Sequence, residues 1–219
     1  MHSDLNEVFR YLGITRPIPE DLFCQVSDLY QRVSASVRPR FFYKVFPLCH
    51  KQDLIEIPAA GMVLQSDLAK KMLSDCDSVV LLACTLGTTF DTMLRSEQAR
   101  NMSNAVIMNA CGNTLVEAGC DAAEEEIRSR FPSRYLTDRF SPGYGDLSLE
   151  LQAPLCKALD TPRQLGIHVT DSFLMNPSKS VTALIGLSDT PQAARIRGCA
   201  YCAMKDTCTI RKGGTRCGT

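Results

Sequence analysis

The sequence has no excess of charge of either sign. Its 219 residues include 24 Lys or Arg and 24 Asp or Glu, so the formal net charge is zero. A chain of this kind has no overall positive field to attract a nucleic-acid backbone or an anionic membrane surface. We therefore predict that nucleic acid is not a partner.

Long hydrophobic runs are also missing. The longest apolar stretch, residues 79–84, is far shorter than the roughly 20 residues that a membrane-spanning helix needs. The first 16 residues lack the basic and then apolar layout of a signal peptide, because Asp4, Glu7 and Arg10 interrupt them. The sequence predicts a soluble cytoplasmic protein that does not enter a membrane.

Cysteine is abundant, with 11 residues. Seven of them stand among apolar neighbours, and we predict that they fill the core as small hydrophobic side chains in a reducing compartment. These seven are Cys24, Cys49, Cys76, Cys84, Cys111, Cys120 and Cys156.

The spacing of apolar residues along the chain predicts the helices and strands. Helices are predicted over residues 5–12, 20–37, 66–73, 88–94, 99–131 and 149–159, the third capped by Ser66 and the fifth interrupted near Gly112. The acidic residues 124–126 of that long helix are predicted to form a solvated face. Strands are predicted over residues 41–46, 53–57, 78–85, 166–170 and 180–187.

The uninterrupted apolar run at residues 78–85 is typical of a strand covered on both faces, so this strand should be central. The pattern indicates an α/β or α+β fold, with a mixed or antiparallel sheet and flanking helices. We expect this domain over residues 1–188, including an N-terminal helical segment, and a small Cys-rich C-terminal tail over residues 189–219.

The segment RFSPGYGDLSLELQ, residues 139–152, is the most informative part of the chain. Ser-Pro-Gly-Tyr-Gly predicts a tight turn that exposes its backbone, opened by an arginine and carrying an aromatic side chain. Such a turn can present peptide groups and a guanidinium to a small ligand. The alternative is an ordinary connecting loop in which Arg139 pairs with Asp138 or Asp146.

Two further segments stand in order with this one, TLVEAGCDAAEEEIRSRF upstream and DSFLMNPSKSVTALIGL downstream. Together, over residues 78–187, the three segments resemble the reactivation domain of cobalamin-dependent methionine synthase. The resemblance implies that domain's fold and the binding of S-adenosylmethionine, which methylates cobalamin after an electron donor has reduced its oxidised form.

The resemblance also implies the ligand contacts. Glu117 is expected to hold the α-amino group, Arg139 the α-carboxylate, and Ser141 the adenine end through its backbone. Gly143 and Tyr144 belong to the same turn, with Tyr144 on the side facing cobalamin. These assignments suit the ligand, because an arginine offers two parallel bonds to a carboxylate and a lysine does not.

The sequence departs from the family at two points. After Leu187 we find no counterpart of the segment whose tyrosine helps to enclose the ligand. No folate, homocysteine or cobalamin module is recognisable, and the Asp-X-His-X-X-Gly motif that supplies the lower cobalt ligand is missing. We therefore expect cobalamin to be carried by a separate protein.

The leading hypothesis is an S-adenosylmethionine-binding activator. It would support the reductive methylation of cobalamin on a separate methionine synthase or corrinoid protein, with an electron donor such as flavodoxin or ferredoxin. A second hypothesis is a subunit of a corrinoid-linked methyltransferase that uses another methyl donor. A third is a non-enzymatic, metal-stapled interaction module.

The remaining four cysteines crowd into the end of the chain with the spacing C-x2-C-x5-C-x8-C, at Cys199, Cys202, Cys208 and Cys217. Four thiolates in a short span suit zinc or an iron–sulfur cluster, and the surrounding Lys and Arg residues would favour the thiolate form. The pattern favours a metal site without choosing between the two metals. The alternative is a mobile tail with free thiols.

Overall fold

A computed structural model describes residues 2–14, 17–192 and 196. Its helices are α1 (His2–Tyr11), α2 (Glu20–Ser36), α3 (Asp67–Leu73), α4 (Gly87–Arg100), α5 (Met102–Arg130), α6 (Gln152–Leu159) and α7 (Thr161–Leu165). Its strands are β1 (Arg40–Pro47), β2 (Cys49–His50), β3 (Ile55–Ile57), β4 (Met62–Leu64), β5 (Ser78–Thr85), β6 (Tyr135–Leu136), β7 (His168–Val169), β8 (Met175–Asn176) and β9 (Ser180–Ser188). Short 3-10 turns lie at Pro58–Ala60 and Leu149–Leu151.

The main sheet has four strands in the order β1-β5-β9-β6, and every neighbouring pair is antiparallel. The predicted central strand β5 pairs along its whole length with β1 on one side and β9 on the other. This arrangement confirms both the expected position of residues 78–85 and the antiparallel form of the predicted sheet.

Alternate residues of β5 enter two different cores, as the period of two in a strand requires. Val79, Leu81 and Ala83 pack with α3, α6, α7 and the small β2-β3-β4 sheet. Val80 and Leu82 pack with Ala123 and Ile127 of α5 on the opposite face. The sheet is therefore the middle layer, and both of its faces are covered.

The two N-terminal helices complete the layer on the α5 side. Val8 of α1 and Val26 and Val33 of α2 are fully buried, and they share one core with Phe90 of α4 and with the first half of α5. The helical segment predicted at the N-terminus is thus part of the domain core.

The long predicted helix over residues 99–131 is divided, but not at Gly112 as predicted. The division is at Asn101, whose extended backbone ends α4 and whose side chain accepts a bond from Asn104 N, 3.1 Å away, to begin α5. α5 runs through Gly112 without a break, and the Phe90 ring packs so closely against this residue that a Cβ built there would be 2.3 Å from Phe90 Cζ.

Of the smaller expectations, the cap of α3 is confirmed, whereas the second strand and two of the cysteines need correction. Residues 53–57 form only the three-residue strand β3, which pairs with β2 and with the unpredicted β4. Ser66 caps α3 as predicted, accepting a bond from Ala69 N at 3.0 Å. Of the seven cysteines expected in the core, Cys24 and Cys49 are exposed and the other five are buried.

No helix in the described ranges is long and apolar enough to cross a membrane. The four tail cysteines, Cys199, Cys202, Cys208 and Cys217, lie outside the described residues. Among residues 2–14, 17–192 and 196, no group of three or more His, Cys, Asp or Glu side chains could hold a metal ion.

Candidate functional site

The centre of the site is Arg139, whose side chain is only 10% exposed and faces three carboxylates of α5. Its Nη1 donates to Asp121 Oδ1 at 2.7 Å and to Glu124, and its Nη2 donates to Glu117. Burial disfavours the charged guanidinium, but the surrounding negative groups outweigh this and raise the pKa of Arg139 above its ordinary value. These three acids and Arg139 form one wall of the site. Because three carboxylates surround one guanidinium, this wall has a net negative charge.

The three acids meet Arg139 because of their spacing in α5. Residues 117, 121 and 124 follow one another at intervals of four and three, which places them on one face of a helix. Glu124 was predicted to be solvated, and that prediction is wrong: its side chain is 4% exposed and lies between Arg139 and Arg128.

A backbone bridge to the sheet fixes the position of Arg139. The next residue, Phe140, is buried and exchanges two hydrogen bonds with Leu184 of β9, at 3.1 and 2.7 Å. The segment after α5 is thereby tied to β9 just before the Ser-Pro-Gly-Tyr-Gly turn begins.

The turn itself is compact and held at both ends. Tyr144 N donates to Ser141 O at 3.0 Å, and Gly143, with a φ of +86°, donates through its N–H to Leu147 O at 2.8 Å. Asp146 accepts bonds from the Ser66 hydroxyl and from two backbone N–H groups at the start of α3. The turn therefore exposes Tyr144 from a rigid base.

Neither alternative partner of Arg139 is found. Asp146 is engaged at α3, and Asp138 Oδ2 accepts a bond from Ile196 N at 2.9 Å. The alternative in which Arg139 pairs with one of these two aspartates is therefore not what the structure shows, because its partners are the three acids of α5.

A cavity of about 230 Å³, which we call the Arg139 cavity, lies between α5, the turn and β9. It is lined by Glu117, Arg139, Phe140, Ser141, Tyr144, Val181 and Ile196. Four of the five predicted ligand contacts thus line one cavity. The fifth, Gly143, shapes the turn and is not part of the lining.

A second cavity of about 290 Å³, which we call the Lys179 cavity, shares Glu117 and Val181 with the first. Its other lining residues are Tyr11, Asn113, Val116, Ser178, Lys179 and Ser180. Burial and the charge of Glu117 raise the pKa of Tyr11. The two cavities adjoin at these shared residues beside α5, and we call the pair the groove.

Sequence reasoning did not place Tyr11, Asn113 or Lys179 in the site. Tyr11 belongs to α1, Asn113 lies one turn before Glu117, and Lys179 directly precedes β9. The only signal in the sequence was the spacing of Asn113 and Glu117 on one helical face, since the other two residues reach the groove through tertiary packing.

Known proteins resemble this chain in sequence pattern and in fold. The model of the family described as "Vitamin B12 dependent methionine synthase, activation domain" matches residues 45–197. A crystal structure of the MetH reactivation domain bound to AdoHcy is similar in fold, with a TM-score of 0.67 and 19% identity, covering 96% of this chain and 83% of that chain. No curated protein matches. Because the family model covers well over half of the residues and confirms the resemblance, this chain belongs to the vitamin B12-dependent methionine synthase activation domain family.

Proposed function

We propose that this protein binds S-adenosylmethionine in the Arg139 cavity and supports the reductive methylation of cobalamin carried by a separate methionine synthase or corrinoid protein. The observation that carries the proposal is the meeting of Glu117, Arg139, Ser141 and Tyr144 in one cavity. Membership of the activation-domain family and the similar fold of an AdoHcy-bound relative support it.

The charges of the cavity suit this ligand. S-adenosylmethionine carries a sulfonium, an ammonium and one carboxylate, so it is a net cation at neutral pH. The wall formed by Glu117, Asp121 and Glu124 has an excess of negative charge over Arg139. Because opposite charges attract most strongly where water is partly excluded, this wall favours a cationic ligand.

Arg139 also retains the donors for the ligand carboxylate. A guanidinium has five N–H donors, and the three described ion pairs use three of them. Two remain, which is the number that a carboxylate accepts from an arginine in a bidentate contact. In this arrangement Glu117 holds the ligand ammonium, and the Ser141 backbone holds the adenine end.

Tyr144 is 38% exposed at the tip of its turn, so it is available to a partner protein. We assign it to the face that meets the cobalamin-carrying protein. When bound, S-adenosylmethionine supplies the methyl group to reduced cobalt, and the electron comes from a separate donor such as flavodoxin or ferredoxin. This chain's own part is to hold the sulfonium ligand at that face.

Calorimetry tests the binding proposal. S-adenosylmethionine should bind more tightly than the neutral product S-adenosylhomocysteine, and Arg139→Lys should weaken its binding by about 1–3 kcal/mol because one bidentate contact is lost. Glu117→Gln should also weaken binding, but only for ligands that carry the α-amino group. Failure of both adenosyl ligands to bind below millimolar concentration would end the proposal.

We further propose that Cys199, Cys202, Cys208 and Cys217 hold a metal, either an iron–sulfur cluster or zinc. The support is their spacing, C-x2-C-x5-C-x8-C, which places four thiol ligands within a short stretch of chain. An iron–sulfur cluster could pass an electron, whereas zinc would act only as a structural metal.

The metal proposal is tested on protein purified without oxygen. Iron, sulfide and zinc are measured in the wild type, in a variant with all four tail cysteines changed to serine, and in the matched control Cys24→Ser/Cys49→Ser. Serine substitution is preferable to truncation because Ile196 contributes to the cavity and bonds to Asp138. Wild-type protein with only trace metal, or equal metal in all three proteins, would contradict the proposal.

A further inference from the structure

Lys179 is a cation inside the groove that the family resemblance did not assign. It lies directly before β9, it is partly buried, and it lines the Lys179 cavity with Tyr11 and Asn113. Its Nζ donates to Asn113 Oδ1 at 2.6 Å, and this acceptor is a neutral amide. The ammonium therefore has a hydrogen-bond partner but no charge partner in that contact.

The nearby acids are committed elsewhere. Asp91 is close enough to influence Lys179, but it accepts bonds from the Ser178 N–H and hydroxyl at 2.9 and 2.6 Å. Glu117, which borders the cavity, is paired with Arg139. Within the described residues, no carboxylate stands within ion-pair distance of Lys179 Nζ.

Burial lowers the pKa of Lys179, although the charge of Asp91 opposes the shift. A half-buried ammonium that is bonded only to a neutral group has lost hydration without gaining an opposite charge. An anion that entered the cavity would supply the missing opposite charge. The cavity of about 290 Å³ gives it room.

We propose that Lys179 is a further anchor for the α-carboxylate of the bound ligand, and that it makes a free carboxylate a requirement for tight binding. The inference rests on the proposed function, in which the ligand is S-adenosylmethionine. Its physical basis is the charge of the groove: three acids surround Arg139, so a ligand carboxylate near that guanidinium also meets repulsion, which Lys179 offsets from the adjoining cavity.

The experiment measures binding of S-adenosylmethionine and of its decarboxylated analogue by calorimetry. The proteins are the wild type, Lys179→Met, Lys179→Arg and the control Lys71→Met, which removes an exposed lysine in the last turn of α3. Lys179→Met should bind S-adenosylmethionine at least about tenfold more weakly, on the order of the loss of one charged hydrogen bond. It should bind the decarboxylated analogue as the wild type does.

Lys179→Arg should retain most of the affinity, and Lys71→Met all of it. The inference is overturned if Lys179→Met binds S-adenosylmethionine like the wild type, or if it loses both ligands equally, which would indicate a structural role. If the wild type binds neither ligand, the proposed function itself fails, and this result is distinct from the other two.

Proton uptake gives a second readout that a structural role would not move. A ligand carboxylate beside Lys179 should raise the lysine pKa from its lowered value, so binding should take up protons at alkaline pH. Calorimetry in two buffers of different ionisation enthalpy measures this uptake. It should disappear in Lys179→Met, and uptake that persists unchanged in this variant would assign the proton to another group.

Discussion

Replacing Arg139 with methionine should destabilise the fold as well as the site. The substitution keeps much of the side-chain volume and leaves Glu124, 4% exposed, without its buried guanidinium partner. Breaking a buried ion pair costs about 3–5 kcal/mol, and the half-exposed Arg128, which stays 3.2 Å from Glu124, offsets part of this. Asp121 and Glu117 are more exposed, so their lost pairs add less than about 1 kcal/mol each.

The expected loss is therefore about 3 kcal/mol, which corresponds to a fall in Tm of about 6–12 °C for a chain of this size. Urea unfolding followed by circular dichroism should show a lower midpoint with an unchanged slope. The matched control is Arg128→Met, which removes the exposed partner of the same carboxylate and should cost under about 1 kcal/mol. Adding Glu124→Gln to Arg139→Met should recover part of the loss, because the buried charge is removed. If Arg139→Met costs no more than Arg128→Met, Arg139 is not the charge that compensates Glu124.

Predictions at three other residues follow from the packing and the charges. Gly112→Ala should lower the free energy of unfolding by about 1–2 kcal/mol in urea, because its Cβ would meet the Phe90 ring, and Phe90→Leu should relieve this loss. Ser66→Ala should cost about 1 kcal/mol through loss of the α3 cap, whereas no effect in the same assay would mean that Asp146 alone satisfies the helix start. Burial raises the pKa of Tyr30 to about 12, so in an alkaline titration of phenolate absorbance Tyr30→Phe should remove a late step; loss of an early step instead would contradict the burial. Since the phenol keeps its proton better in the folded than in the unfolded protein, stability should also fall as the pH rises from about 10 to 12.

The sequence predicted the features that depend on local pattern. The apolar run of β5 placed that strand at the centre of the sheet, and Ser66 identified the start of α3. The predicted break at Gly112 was wrong: a glycine weakens a helix locally, but this one lies inside α5 and makes room for the Phe90 ring of α4, a contact that no local pattern reveals.

The sequence predicted only part of the site, because several of its contacts join residues that are far apart in the chain. Glu117 and Arg139 were expected to act on one ligand, and the structure brings them together. Glu124 was assigned to solvent because its neighbours in sequence are charged, whereas its partner arrives from a loop 15 residues later. Lys179 and Asn113 are 66 residues apart, and no sequence pattern connects a residue before a strand with one inside a helix.

The packing of α1 and α2 against α5 also sets an order of events during synthesis. The apolar faces of these helices are complete when Ser36 has been made, but their main partner extends to Cys120, about 80 residues later. At roughly 5–20 residues per second, the ribosome needs about 4–16 s to supply that partner. For those seconds the side chains around Val26 and Val33 lack the α5 part of their core, so we expect this pair of helices to expose apolar surface that a chaperone could bind.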